Sequence, residues 1–245
     1  MSVAPPFTRL AIALAFVCST HLEAQSRSTA SPVQRAEPST WTIVPQPGID
    51  LGITFSIGWT LGTHGGRAAQ VRGTLRAAPD PLVITQGEFR VPIAAMSTGS
   101  ATRDCHLPEA LGIDYSRSQF PREHVCVNDR LPTSGPDSVV FPEIVITLRE
   151  LRPLQQATSP TPLRLVPNQK IDAQILMGLS IHGVTQDLTA PVELQMDDAQ
   201  RVRVATSFDV ALAPFGVVVK MPPLMSVKDR AKVKLSLLLV RQDGL

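Results

Sequence analysis

Leu51-Gly52-Ile53-Thr54-Phe55-Ser56-Ile57-Gly58-Trp59-Thr60-Leu61 alternates large apolar residues with small or polar ones without a break. Successive side chains of a strand point to opposite faces, so a period of two puts Ile53, Phe55, Ile57 and Trp59 on one face. The stretch reads as a long strand with one buried apolar side. The small residues opposite let it bend or approach a neighbour closely.

The same pattern recurs along the chain. Val71, Gly73 and Leu75 form a short apolar face, and Phe89, Val91 and Ile93 follow a turn expected at Gln86-Gly87. Ile144, Ile146 and Leu148 make another face. Ile171, Ala173, Ile175, Met177, Leu179 and Ile181 make a second long strand, broken at His182-Gly183. Leu188 to Met196 continues to an expected turn at Asp197-Asp198. Val202 to Leu212 and Ala231 to Leu239 complete the set. These runs make about eight or nine strands joined mostly by short turns, the pattern of a sandwich or an up-and-down barrel. One short helix is expected, His106 to Leu111, ending at Gly112. Residues 113–138 and 151–167 read as loops, the second rich in proline.

Composition bounds the function. The chain has 245 residues, room for one large β domain or two small ones, and no second domain is evident. A hydrophobic content of 43% excludes a disordered protein. The net charge of +2, carried by scattered Lys and Arg, excludes a nucleic-acid partner as the expectation. A lipid-facing barrel is poorly supplied with aromatic girdles at 4% aromatics. No feature demands a second copy, and a homodimer stays open.

Residues 1–24 read as a signal peptide. Arg9 precedes an apolar run, Leu10 to Val17, too short to span a bilayer. Cleavage is expected after Ala24, with Leu22 an imperfect fit to the site. Cys18 lacks the small residue expected beside a lipidated cysteine. Residues 25–40, rich in Ser, Thr, Gln and Pro, read as a flexible linker, and 41–242 as the folded domain. A periplasmic or secreted location follows as an expectation. Without the signal the chain keeps two cysteines, Cys105 and Cys126, which read as a disulfide in an exported protein. A zinc site made with His106 and His124 is the alternative, although the spacing is not that of a zinc finger.

The catalytic inventory is thin: G-x-S-x-G, H-E-x-x-H, the P-loop and G-x-G-x-x-G are all absent. His64, His106, His124 and His182 each adjoin a turn or loop, where a local hydrogen bond is the plain expectation. Arg103, Asp104 and His106, with His64, form the one candidate catalytic cluster, of hydrolase type. Arg103-Asp104 reads equally as a pin for its loop. No cofactor is implied.

Four stretches together resemble the YceI-like family. They are Ile53 to Ile57 running into Gly62-Thr63-His64-Gly65-Gly66 and Val71-Arg72-Gly73-Thr74-Leu75; Phe89-Arg90-Val91-Pro92-Ile93 with Arg103-Asp104; Gly178-Leu179-Ser180-Ile181-His182-Gly183-Val184-Thr185-Gln186-Asp187-Leu188-Thr189-Ala190-Pro191-Val192-Glu193-Leu194; and Phe208-Asp209-Val210 with Phe215-Gly216-Val217. The resemblance implies an all-β, antiparallel, lipocalin-like barrel whose tunnel takes an isoprenoid chain or similar amphiphile, and no enzymatic reaction. The chain departs from that pattern in the longer segment Cys105 to Val140 and in the 151–167 loop, each expected to reshape an end of the barrel.

The expectation is thus a binding protein for a lipid-like ligand of isoprenoid or fatty-acyl type. Its candidate lining is Phe55, Ile57, Trp59, Phe89, Val91, Ile175, Met177, Leu179, Phe208 and Leu235. A barrel of about eight strands either fills its interior or holds one small ligand, and the sequence leaves that choice open.

Overall fold

The computed structural model of the chain describes residues 37–44, 52–154 and 162–242. The expected signal peptide lies outside the described residues, as does most of the expected linker. Eleven strands and one α-helix follow in order: β1 (Ser39–Ile43), β2 (Gly52–Trp59), β3 (Gly62–Ala68), β4 (Arg72–Pro79), β5 (Leu82–Pro92), β6 (Met96–Ser97), α1 (Ala101–Gly112), β7 (Glu143–Pro153), β8 (Gln169–Ile181), β9 (Val184–Asp198), β10 (Arg201–Ala211) and β11 (Val227–Gln242). Strand β1 begins at Ser39, just inside the segment whose composition suggests a linker.

All the strand pairs are antiparallel, and eight of them form a closed barrel in the order β1-β4-β5-β7-β8-β9-β10-β11, with β11 returning to β1. The long strand β11 carries two partners on one edge. Its C-terminal part pairs with β1 (Ile43 opposite Leu239), and its N-terminal part pairs with β2 (Phe55 opposite Val233). Strand β2 then pairs with β3, and β3 with the short β6. The β1 end is therefore ringed by eight strands, while the opposite end is widened by the β2–β3 hairpin and covered by α1.

Alternation fixes which residues face in. On β8, Ala173, Ile175, Met177, Leu179 and Ile181 are buried, while Lys170, Asp172 and Gln174 are exposed. Strands β9, β10 and β11 repeat the pattern with Val192, Leu194, Val202, Val210, Leu235 and Leu237 inside. The outer face is charged and cross-linked by ion pairs such as Lys170–Glu193 at 2.6 Å and Arg203–Asp197 at 2.8 Å. A membrane-spanning barrel needs an apolar outer band, so this surface rules that architecture out.

Turn chemistry differs from expectation in two places. Gln86-Gly87 is not a turn but lies inside β5, beside an irregularity where Arg76 faces Gln86 and Ala77 faces Ile84. The chain reverses earlier, at Asp80-Pro81. The β9–β10 turn sits at Ala199-Gln200, because Asp198 initiates it by accepting the Gln200 N–H at 2.9 Å. The break at His182-Gly183 is as expected: both residues have positive φ, 53° and 75°, forming the two-residue hairpin between β8 and β9.

Helix α1 starts five residues upstream of the expected His106. Pro108 sits in its interior, where it removes one backbone donor, so the sequence understated the helix. Its start is stabilised from outside. The Asp104 carboxylate accepts Ser97 Oγ (2.7 Å), the Thr98 N–H (2.6 Å) and Thr98 Oγ1 (2.6 Å). The disulfide joins Cys105 of α1 to Cys126.

Gly73 leaves no room for a side chain: an added Cβ would sit 2.2 Å from the Glu88 carbonyl oxygen and 2.7 Å from Phe89 Cα. Backbone cannot swing aside as a side-chain tip can. Gly73→Ala is expected to destabilise the barrel by about 2 kcal/mol or more, read as a lower urea midpoint with an unchanged slope.

Candidate functional site: a two-chambered apolar interior

The barrel is hollow at two levels. The lower chamber, at the β1 end, holds about 70 Å3, room for roughly two waters. Trp41, Leu165 and Leu239 are among its walls, and segment 162–166 is fastened beside the β4–β5 turn through Leu82 N–H to Leu163 O (2.7 Å) and Leu165 N–H to Pro79 O (3.0 Å). The upper chamber, between β2–β3 and α1, holds about 310 Å3, at the low end of the ~300–1,000 Å3 typical of small-molecule sites. Ile146 and Phe208 line both chambers and so stand between them.

Nine of the ten residues singled out in the sequence line one chamber or the other. Phe89, Ile175, Met177 and Leu235 face the lower one, Phe55, Ile57, Val91 and Leu179 the upper one, and Phe208 both. Trp59 lines neither; its ring stacks on His64 at 4.6 Å, and His64 takes the place on the upper wall. The sequence could not find the contributions of α1, Leu107, Ala110 and Leu111, nor those of Val217, Val219 and Met221 on the loop after β10. Helix and loop residues carry no alternation to mark them.

The polar residues of the upper wall are Thr98, Arg103 and His106 beside and on α1, His64 on β3 and Lys220 on the loop after β10. Arg103, His106 and His64 therefore all line the upper chamber, but Asp104 does not. Burial pushes the Asp104 carboxyl up, while the Thr98 and Ser97 donors outweigh that and hold it below the usual carboxylate range. His106 instead pairs with Glu109, one turn along the helix, with Nδ1 at 2.6 Å from Oε2. The pinning role for Asp104 is thus observed, and the catalytic cluster built on it is not assembled.

Glu109 is the site residue that sequence reading missed. Its side chain is 1% exposed, yet it is charged and fully engaged. His106 Nδ1–H and His124 Nδ1–H donate to one oxygen (2.6 and 3.1 Å) and the Val125 N–H to the other (2.5 Å). Desolvation pushes the carboxyl up, but these three donors prevail and its pKa lies below the ordinary value. With the disulfide nearby, this carboxylate ties loop 119–126 to the helix that roofs the chamber. His106, Glu109 and Cys126 offer donor atoms within 4.8 Å of one another. The Cys126 sulfur is consumed by the disulfide, so the cysteine–histidine zinc set is not formed.

The remaining histidine is structural as well. His182 Nε2–H donates to Ile113 O at 2.7 Å, and its ring packs on Tyr115 (4.2 Å) and Phe141 (5.1 Å). The His182-Gly183 turn thereby fastens the C-terminal end of α1 to the barrel rim.

No protein-family model and no curated protein matches this chain. Solved structures do. A polyisoprenoid binding domain from Saccharophagus degradans, implicated in plant cell wall breakdown, superposes with a TM-score of 0.52 at 10% identity, covering 82% of this chain and 98% of that one. Burkholderia cenocepacia BcnA superposes with a TM-score of 0.52 at 10% identity, covering 76% and 94%. At such identities the likeness establishes the fold: this chain is an antiparallel, closed eight-stranded barrel with the architecture that the YceI-like resemblance implies.

Two outcomes are expected. Replacing both cysteines with alanine opens a loop of sequence separation 21 and should cost about 3 kcal/mol, seen as a lower Tm. Because the Glu109 pKa is depressed, its contribution is present above about pH 4.5 and is lost as pH falls through the folded value. Glu109→Gln should therefore lower stability at pH 7 by about 2 kcal/mol and flatten the acid limb of a stability–pH curve, measured by denaturation between neutral and acid pH.

Proposed function

We propose that this protein is an exported YceI-like carrier that holds one elongated, lipid-like molecule in the barrel. The observation that carries the reading is the upper chamber: about 310 Å3 of space between the barrel strands, the β2–β3 hairpin and α1, walled mostly by apolar side chains. Phe208 is partly exposed although its strand position points inward, which is the signature of a wall facing space rather than a filled core. The polyisoprenoid named for one structural neighbour supports an isoprenoid or fatty-acyl chain as ligand. The Cys105–Cys126 bridge suits an oxidising compartment, consistent with the N-terminal signal reading and a periplasmic or secreted location.

Binding fits the chamber better than turnover does. Hydrolysis by a nucleophile needs a hydroxyl or thiol within reach of its base. Among the described residues on the upper wall the hydroxyl belongs to Thr98, and its Oγ1 donates to Asp104. His106 is held by Glu109 as a positioned polar group with no such partner.

Organic extraction of protein purified from its native host, followed by mass spectrometry, should recover a bound amphiphile. Repeated recovery of none, with no binding of a fluorescent fatty acid, would refute the reading. Leu179→Trp should fill the upper chamber and weaken that binding about ten-fold. Phe208→Ala should join the chambers and shift the preference toward longer chains.

A further inference from the structure

The upper chamber has an unusual doorstep. Leu61, at the tip of the β2–β3 hairpin, is 71% exposed, and Leu224, on the loop between β10 and β11, is 99% exposed. Met225, Val218 and Val219 on the same loop are also exposed. The two segments are laced together: Thr60 N–H donates to Ser226 O (3.0 Å) and Ser226 N–H to Thr60 Oγ1 (2.8 Å). Leu61, Leu224 and Met225 therefore stand at one end of the barrel. Leu224 is also held at a φ of 70°, a left-handed conformation that a leucine adopts only at a cost. A strained, bare leucine beside other bare apolar side chains marks an interaction surface.

Charge indicates the partner. Segments 57–64 and 217–230 carry Lys228 and Arg230 on exposed positions, and Lys220, whose ammonium donates to the Arg122 carbonyl, against one acid, Asp229, whose Oδ1 already accepts the Ala213 N–H at 2.8 Å. Lys228 lies across Gly58, where an added Cβ would meet its Cδ at 2.7 Å, so its stem covers the hairpin beside Leu61. Apolar tips among cations match a bilayer surface with anionic headgroups: the tips enter the acyl boundary while the cations stay at headgroup level. The loop's other residues, Val219, Lys220 and Met221, line the upper chamber.

We propose that this end of the barrel docks on an anionic lipid surface, with Leu61 and Leu224 as its apolar anchors. Docking there brings the loop whose Val219, Lys220 and Met221 line the chamber against the bilayer, so lipid passes between membrane and barrel without crossing water; this last step rests on the carrier reading above, whereas docking itself does not.

The test uses the purified protein with vesicles of phosphatidylcholine alone and of phosphatidylcholine mixed with phosphatidylglycerol. The wild type should co-float with the mixed vesicles and far less with the neutral ones. Leu61→Ser/Leu224→Ser should weaken the partition about ten-fold or more, with unchanged Tm and unchanged binding of a fluorescent fatty acid, because neither residue lines the chamber. Leu224→Trp gives a direct readout: its emission should shift to the blue on adding mixed vesicles. No shift overturns the proposal, even where the carrier reading survives by fatty-acid binding. An oligomer that the double serine variant dissociates, with no vesicle-dependent shift, would assign this face to a second copy and equally overturn it.

Discussion

The edge of β11 is shared by two strands, and the interior follows from that division. Along one side β11 pairs continuously with β10. Along the other it must serve β1 at its C-terminal part and β2 at its N-terminal part. Where β1 bridges β11 to β4, eight strands close a ring of the girth that side chains nearly fill. Where β2 takes over, the hairpin partner β3 reaches β6 through only a short pairing, and the wall opens outward. A small lower chamber and a larger upper one are the geometric result, with Phe208 and Ile146 at the level where one regime gives way to the other.

An opened end needs a roof, and the polar chemistry of the chain is spent on holding it. Asp104 receives three donors from the segment before α1, Glu109 receives three from its own helix and loop 119–126, and His182 bonds the carbonyl just beyond the helix. A buried carboxylate is costly unless its lone pairs are filled, so each group is stable only while the helix stays in place. The disulfide adds a covalent tie in the same region. Asp104 and His106, two of the four side chains of the candidate catalytic cluster, thus take part in fastening the chamber's lid.

Legibility followed periodicity. Strand faces were readable because burial on one side of a sheet imposes a period of two, and nine of the ten residues chosen on that basis face a chamber. Trp59 escaped the rule because it ends its strand and stacks on His64 instead. Gln86-Gly87 reads as a turn by residue type, yet it lies within β5, where pairing with Arg76 and Leu75 of β4 overrides local preference. Glu109 was invisible: a glutamate on a short helix ordinarily faces water, and only the arrival of His124 and Val125 from a loop distant in sequence makes its burial tolerable.

The sequence by itself determined an antiparallel β domain and the inward face of its long strands, because these depend on alternation, and it left Cys105 and Cys126 open between a disulfide and a zinc site until the structure joined them. The tertiary structure alone decided that the interior is hollow rather than filled, that it is divided at Phe208, and that the segments of Leu61 and Leu224 are joined through Thr60 and Ser226. The reason is physical: a cavity is the difference between the space the strands enclose and the volume their side chains occupy. Strand stagger and the shared edge of β11 set that space, and neither is written in any local stretch of the chain.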